Sequence, residues 1–383
     1  MEEIRFPSPL KGIVVLFLLL SFSCCGDKTS RSASVHGDTI SMKYARNLTL
    51  IRHDGYTEVL IRNPWDTTAV LHRYALVEEG TDAPRSLQEG KETLVRVPLR
   101  RAGIFTAVHC GLVKELGCES SIRGICEIEY IYIASIRKAV KEGRVANFGT
   151  AVDPDIEKIM DAQPDGLLIS PFENSAGYGR VERLGIPVIE CADYMEISPL
   201  ARAEWMKLYG LLFGCYERAD SLFRSVEERY LNLRDRAARV GHRPTLVAEK
   251  PYSGVWYVPG GNSAMGVLYR DAGARYLFGD RKKNGSLPLS VETVFEKGQQ
   301  ADIWLIKYNQ SVPLTLNQLI SDYPPFAYFR SVRAGRVYGC NLEKTRFYEE
   351  TPFHPDLLLG SLVQIIHPEL GIESEKAYFY PLE

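Results

Sequence analysis

Two stretches decide how this chain folds. The first is Pro154-Asp155-Ile156-Glu157-Lys158-Ile159, running on to Ala162-Gln163-Pro164-Asp165-Gly166-Leu167-Leu168-Ile169. The second is Leu289-Ser290-Val291-Glu292-Thr293-Val294, running on to Gly298-Gln299-Gln300-Ala301-Asp302-Ile303-Trp304-Leu305-Ile306. Each reads as a short helix with Glu in its first turn, then an Asp, then an apolar run of the kind that forms a buried strand. Between them lies Leu200–Ala238, a stretch without proline in which Leu208, Leu211, Leu212, Cys215, Ala219, Leu222 and Val226 recur mostly at intervals of three or four. That spacing predicts helix over most of the stretch, with one break near Gly210 or Gly214. About 35 helical residues would span roughly 50 Å, enough to cross from one lobe to another.

The flanking sequence continues the alternation of strand and helix. Strands are expected at Leu94–Pro98, Leu167–Ser170, Pro187–Glu190, Thr245–Glu249, Asp302–Ile306 and Arg336–Cys340, the last being the final strand. Helices are expected at Thr106–Leu116, with Gly117 as C-cap, and at Asp155–Ala162, Gly179–Leu184, Asn262–Asp271, Ser290–Lys297 and Asp356–Ile366. Such alternation predicts parallel β-α units. Ahead of them, residues 43–77 alternate as strands. Asp54-Gly55 joins Asn47–Arg52 to Thr57–Arg62 as a hairpin, with a third strand at Ala69–Val77.

At the N-terminus, Arg5 and Lys11 precede an apolar run, Gly12–Phe22, too short to span a bilayer but suited to a secretory signal. It ends in Ser21-Phe22-Ser23-Cys24-Cys25-Gly26, which resembles a bacterial lipobox with Cys24 as the lipidated residue and Cys25 as the second candidate. The polar stretch that follows reads as a tether. The chain has 383 residues, room for two lobes, and its formal charge of −2 with no basic cluster excludes a nucleic-acid-binding design. The six cysteines beyond the signal form no CxxC and fit no common zinc spacing, so no metal centre or resident cofactor is expected.

In the order and spacing of these elements the sequence resembles the periplasmic binding proteins of iron-siderophore, haem and vitamin B12 ABC importers. The resemblance covers about residues 95–370. It is carried by the paired segments, by Glu182–Cys191, the long helix, Ser253–Gly273 and Phe353-His354-Pro355-Asp356-Leu357-Leu358-Leu359. It implies an α/β fold of two Rossmann-like lobes joined by one long helix, with an N-terminal β-hairpin extension. The corresponding layout is signal 1–23, tether 24–40, β extension 41–94, N-terminal lobe 95–198, connecting helix 199–240 and C-terminal lobe 241–383. It implies a monomeric, lipid-anchored protein on the periplasmic side of a bacterial membrane, which takes a metal-chelate between its lobes and passes it to a permease. A surface Glu on each lobe would pair with arginines of that permease, and Glu157 and Glu292 stand at the matching positions. Two separated carboxylates make a two-point electrostatic clamp, although a first-turn Glu also complements a helix dipole.

Ligand contacts are expected in loops just past strand ends. Trp256 and Tyr257, in Ser253-Gly254-Val255-Trp256-Tyr257-Val258-Pro259-Gly260-Gly261, offer flat apolar surface. Phe105 and His109 open a helix after a strand, and Tyr178 sits in the Gly-rich run Phe172–Gly179. Tyr130, Tyr132 and Arg346–Tyr348 are further candidates. The main rival is a chelatase-like tetrapyrrole enzyme reading His109 with Glu173. Against it, the chain's seven histidines form no paired metal motif, and there is no nucleophile elbow, Walker loop or dinucleotide fingerprint. The 21 tyrosines suit phenolate-iron, haem or plain aromatic packing equally, so the sequence does not name the chelate among haem, ferric siderophore and cobalamin.

Overall fold

The computed structural model describes residues 37–84, 87, 92–173 and 177–383. The expected signal, Cys24 and most of the tether lie outside the described residues. Among the described residues no helix is long and apolar enough to cross a membrane.

The N-terminal sheet comprises β1 (Asp38–Ile40), β2 (Leu48–His53), β3 (Tyr56–Arg62), β4 (Val70–Glu78) and β5 (Thr93–Val97), in that order. The Asp-Gly turn forms as expected: His53 pairs with Tyr56 and Gly55 takes φ +84°. The extension is larger than the expected hairpin. Strand β5, predicted to open the N-terminal lobe, instead runs parallel to β4, and β1 falls within the stretch expected to be tether. A five-residue alternating strand suits an edge of either sheet. Here Val95 and Val97 are buried together with Tyr74 and Leu76 of β4, which decides the matter.

The N-terminal lobe is built on a wholly parallel sheet of β6 (Ala102–Ile104), β7 (Ile122–Ile125), β8 (Ala146–Asn147), β9 (Gly166–Ile169) and β10 (Val188–Glu190), ordered β10-β9-β6-β7-β8. Its helices are α1 (Ala107–Glu115), α2 (Ala134–Lys141) and α3 (Ile156–Ala162). Gly117 takes φ +77° just beyond α1, as a helix-ending glycine should. The helix expected at 179–184 is only a 3-10 turn, Glu182–Leu184.

The predicted long helix is three: α4 (Pro199–Glu204), α5 (Met206–Leu212) and α6 (Tyr216–Ala238). Gly214 makes the expected break with φ +68°, and a further one falls at Trp205. A Cβ on Gly210 would lie 2.6 Å from that of Ala219, so glycine lets α5 lie close against α6. The 23 residues of α6 extend about 35 Å.

The C-terminal lobe contains β11 (Thr245–Ala248), β12 (Val255–Pro259), α7 (Ala264–Asp271), β13 (Arg275–Tyr276), β14 (Ser286–Ser290), α8 (Val291–Gly298), β15 (Ile303–Tyr308), α9 (Leu316–Asp322), α10 (Arg330–Arg333), β16 (Val337–Asn341), α11 (Leu342–Thr345), α12 (Phe347–Glu350), α13 (Pro355–Ile366) and β17 (Tyr380–Pro381). Its main sheet is ordered β13-β11-β15-β16-β17, parallel except for β17, an edge strand beyond the one expected to be last. Strands β12 and β14 form a separate antiparallel ribbon.

The sequence repeat has a structural meaning in both lobes. Asp165, just before β9, accepts hydrogen bonds from the backbone N–H groups of Arg100 and Arg101, at the entry to β6. Asp302, just before β15, accepts from Thr245 N at the start of β11. Each Asp thus ties the start of its own strand to that of the neighbouring one. Asp155 and Ser290 cap α3 and α8.

The extension is fixed to the helical segment by two buried carboxylates. Glu204 accepts from the backbone N–H groups of Lys43, Tyr44 and Ala45 at 2.7–2.9 Å and from Lys207 Nζ at 2.9 Å. Glu196 accepts from Asn47 N at 2.9 Å and Trp205 Nε1 at 3.0 Å. Truncating Glu204 would orphan three backbone donors and remove the nearest carboxylate from Lys207, leaving its ammonium the Ser41 carbonyl. Glu204→Ala is therefore expected to destabilise the protein by about 3–5 kcal/mol in denaturant titration. Amide exchange should accelerate first at residues 43–47; unchanged protection there would show that the sheet is held by packing alone.

Candidate ligand cleft

In open parallel sheets, ligands are met beyond the carboxyl ends of the strands. Here those ends of the two lobes approach each other. The Tyr132 N–H, in the loop after β7, donates to Glu349 Oε1 on α12 at 2.7 Å. A Cβ on Gly111 of α1 would sit 2.0 Å from the Glu349 carbonyl oxygen, so the two helices touch through backbone. His354, just before α13, reaches back to the first lobe: its Nε2 lies 2.7 Å from Glu115 Oε2, and its Nδ1 lies 3.6 Å from Asp356 Oδ1.

The strand-end loops of both lobes carry exposed aromatic rings. Tyr130 follows β7, Phe172 follows β9 and Tyr194 follows β10; in the other lobe Tyr252 follows β11, and Tyr348 lies on α12, beyond β16 and α11. Phe172 at 62% and Tyr252 at 76% are the most exposed of them. Backbone strain gathers in the same loops. Among the described residues five non-glycines take positive φ, and Glu127, Glu249, Ser253 and Arg346 are four of them. Such conformations cost energy and concentrate where function demands them. Near these loops, the Lys307 ammonium is paired with Glu249. Burial opposes its charge, but Glu249 outweighs that and holds its pKa above the ordinary lysine range. A cavity of about 1110 Å³ lies elsewhere, between the N-terminal sheet and the turn around Gly214, and none of these aromatic residues lines it.

The residues singled out from sequence divide sharply. Trp256 is fully buried, with ring centroids of Trp304 and Phe326 both 5.8 Å away and its indole N–H donated to Ala248 O at 3.1 Å. It is a core residue, which corrects its expected ligand role. Strand alternation on β12 turns Trp256 and Val258 inward and leaves Tyr257 half exposed. Phe105 is buried too. His109 has both nitrogens occupied: Nδ1 lies 2.8 Å from Thr106 Oγ1 and Nε2 3.0 Å from Asp193 Oδ1. Asp193 also accepts from Tyr209 and Arg202. Burial alone would raise the Asp193 pKa, but Arg202 and His109 hold it below the usual carboxylate range. His109 is thus part of a closed buried network rather than a ligand contact. Tyr178 donates its hydroxyl to Glu190, the last residue of β10, at 2.8 Å and lines a groove with His72 and Thr93 of the N-terminal sheet.

Glu157 and Glu292 are each the second residue of a capped helix, α3 and α8. Both are exposed, and neither side chain takes part in an ion pair among the described residues. Phe172, Tyr194 and Tyr252 were not singled out from sequence. A signal existed for two of them: Pro171-Phe172 and Pro251-Tyr252 are proline–aromatic pairs just past buried strands, one in each lobe.

Residues 112–342, well over half the chain, match the sequence profile of a periplasmic binding protein family. The chain belongs to that family. The family is one of solute-binding proteins, which sets the chelatase alternative aside. Among relatives of this binding protein, an uncharacterised lipoprotein of Methanocaldococcus jannaschii is 24% identical over 92% of this chain and 87% of its own. A periplasmic haem-binding protein from Pseudomonas aeruginosa superposes with a TM-score of 0.59 at 18% identity, covering 74% of this chain and 98% of its own. An ABC-type Fe3+-hydroxamate transport system protein from Saccharomonospora viridis gives 0.54 at 20% identity, covering 72% and 94%. These likenesses establish the two-lobe α/β fold.

The His354 contact gives the binding protein a defined pH dependence. Burial disfavours the imidazolium, but Asp356 and Glu115 outweigh it and raise the pKa from 6.5 to about 9. With the folded pKa raised, the stabilisation is complete below about pH 6.5 and is lost as pH rises through about 9. Its upper bound is roughly 3 kcal/mol. Denaturant titrations at pH 7 and 10 should show a loss of about 1–3 kcal/mol beyond that of His354→Gln. Equal losses in both proteins would show that the contact carries no charge.

Proposed function

We propose that this protein is the lipid-anchored solute-binding component of an ABC importer. It captures a bulky metal-chelate, such as haem, a ferric siderophore or a cobalamin, between its lobes and delivers it to the permease. The observation that carries this reading is the set of exposed aromatic rings on the strand-end loops of both lobes. Flat apolar faces with phenolic edges suit a large ligand that is itself flat or greasy. Family membership and the haem- and hydroxamate-related proteins of like fold support the ligand class. The lipoprotein relative supports an anchor, for which Cys24 is the proposed lipid-bearing residue, holding the protein on the periplasmic side of its membrane. A monomer suffices, because both walls of the site come from one chain.

Replacing Tyr252 and Tyr348 with alanine tests the site. Each buried ring face contributes roughly 1–3 kcal/mol, about tenfold to a hundredfold in affinity. Titration of haem, a ferric hydroxamate and cobalamin should identify one tight ligand, and the double variant should bind it at least a hundredfold more weakly with its melting temperature unchanged. Equal affinity in the variant would remove these loops from the site.

Delivery is separable from capture. Glu157 and Glu292 are proposed to dock the two lobes on basic residues of the permease. Reversing both charges, Glu157→Lys with Glu292→Lys, should leave ligand affinity unchanged and abolish uptake, with single reversals intermediate. The defect should be largest at low ionic strength. Normal uptake by the double variant would assign docking to other residues.

A further inference from the structure

Of the six cysteines among the described residues, Cys110, Cys126, Cys191 and Cys340 are buried. Cys118 and Cys215 are partly exposed, and their sulfurs lie 3.7 Å apart although they are separated by 97 positions in sequence. Each directly follows a glycine with positive φ: Gly117 at +77° ends the turn after α1, and Gly214 at +68° makes the break before α6. The pair therefore sits where two chain reversals meet, at the junction of the first helix of the N-terminal lobe and the long helix. Arg218, one turn into α6, crosses the same junction and donates to Glu115 O at 2.6 Å. Cys215 also lines the cavity of about 1110 Å³ between the N-terminal sheet and this turn, together with Arg52, Tyr56 and Pro98, so a small oxidant has a route to it.

We propose that Cys118 and Cys215 are a redox-active pair that closes into a disulfide in the exported protein. Closure from 3.7 Å to a bond of about 2.05 Å needs only a small rotation of each side chain. The oxidant is a small-molecule or protein disulfide. One cysteine thiolate attacks it, forming a mixed disulfide and releasing the first thiol. The second cysteine thiolate then attacks the mixed disulfide, forming the Cys118–Cys215 bond and releasing the second thiol. Two protein thiols are oxidised, one disulfide is reduced to two thiols, and the cysteine protons pass to those leaving thiolates. The bond closes a loop of nearly a hundred residues and locks α1, which carries the interlobe contact at Gly111, to the start of α6. Disulfides persist in exported proteins and are rare in reducing compartments. The proposal uses the export reading but is independent of the ligand.

The test uses the full chain, extracted in detergent without reductant, with thiols alkylated at harvest. Non-reducing peptide mapping should recover a Cys118–Cys215 crosslinked peptide, and the other four cysteines should be alkylated only after unfolding. Protein first reduced and then exposed to oxidised glutathione should regain the crosslink, which separates the chemistry of the pair from the compartment it came from. Dithiothreitol should lower the melting temperature of the wild type by several degrees and leave Cys118→Ser and Cys215→Ser unmoved. Alkylation of both cysteines after glutathione treatment, with no crosslinked peptide, would overturn the proposal. A dithiothreitol effect of equal size in the variants would overturn it as well.

Discussion

The approach of α1 to α12 governs the arrangement of this molecule. Glycine in mid-helix costs about 1 kcal/mol relative to alanine, yet at Gly111 a Cβ would overlap the Glu349 carbonyl. The missing side chain lets backbone of one lobe rest on backbone of the other. Around that point Tyr132 donates to Glu349 and His354 pairs with Glu115. Polar contacts of this kind set orientation as well as adding stability. Their consequence is that the strand-end edges of the two sheets are held at a set separation. A site whose walls are already positioned loses less freedom when ligand arrives.

The same logic extends to the N-terminal sheet. Two buried carboxylates, Glu196 just ahead of α4 and Glu204 at its end, accept a run of backbone N–H groups from residues 43–47. Burial pushes Glu196 above the usual carboxylate range, while the donors from Trp205, Asn47 and Arg46 pull the other way. A sheet tied down by its backbone in this manner is an integral part of the molecule. It shares the connecting helices with both lobes, and its own core residues, such as Leu50, Val59 and Ile61, join the main apolar cluster.

Much of the fold could be read in the chain because its signals are local. The duplicated helix–Asp–strand segment, the Asp54-Gly55 turn, Gly117 and the Gly214 break each depend on neighbours a few residues away. What escaped reading depends on partners distant in sequence. Strand β5 could serve two sheets, and only its pairing with β4 decides between them. The break at Trp205 has no glycine or proline to mark it. At the site, the adjacent aromatics Trp256 and Tyr257 differ only in which face of β12 they occupy, and the register of β12 against β14 sets that. His109 looks the same in sequence whether it faces a ligand or a buried Asp193. Exposure is the property that separates surface rings from core rings, and it depends on the fold around a residue rather than on the residue itself.

The visible absorption spectrum of the protein purified from its native host tests most directly whether these lobes hold a metal-chelate. Haem, ferric catecholate or hydroxamate, and corrinoid absorb in distinct bands. The predicted result is a coloured protein with one such band at close to one chelate per chain, lost together with the chelate on denaturation. A colourless protein that also takes up none of these chelates when they are added would contradict it.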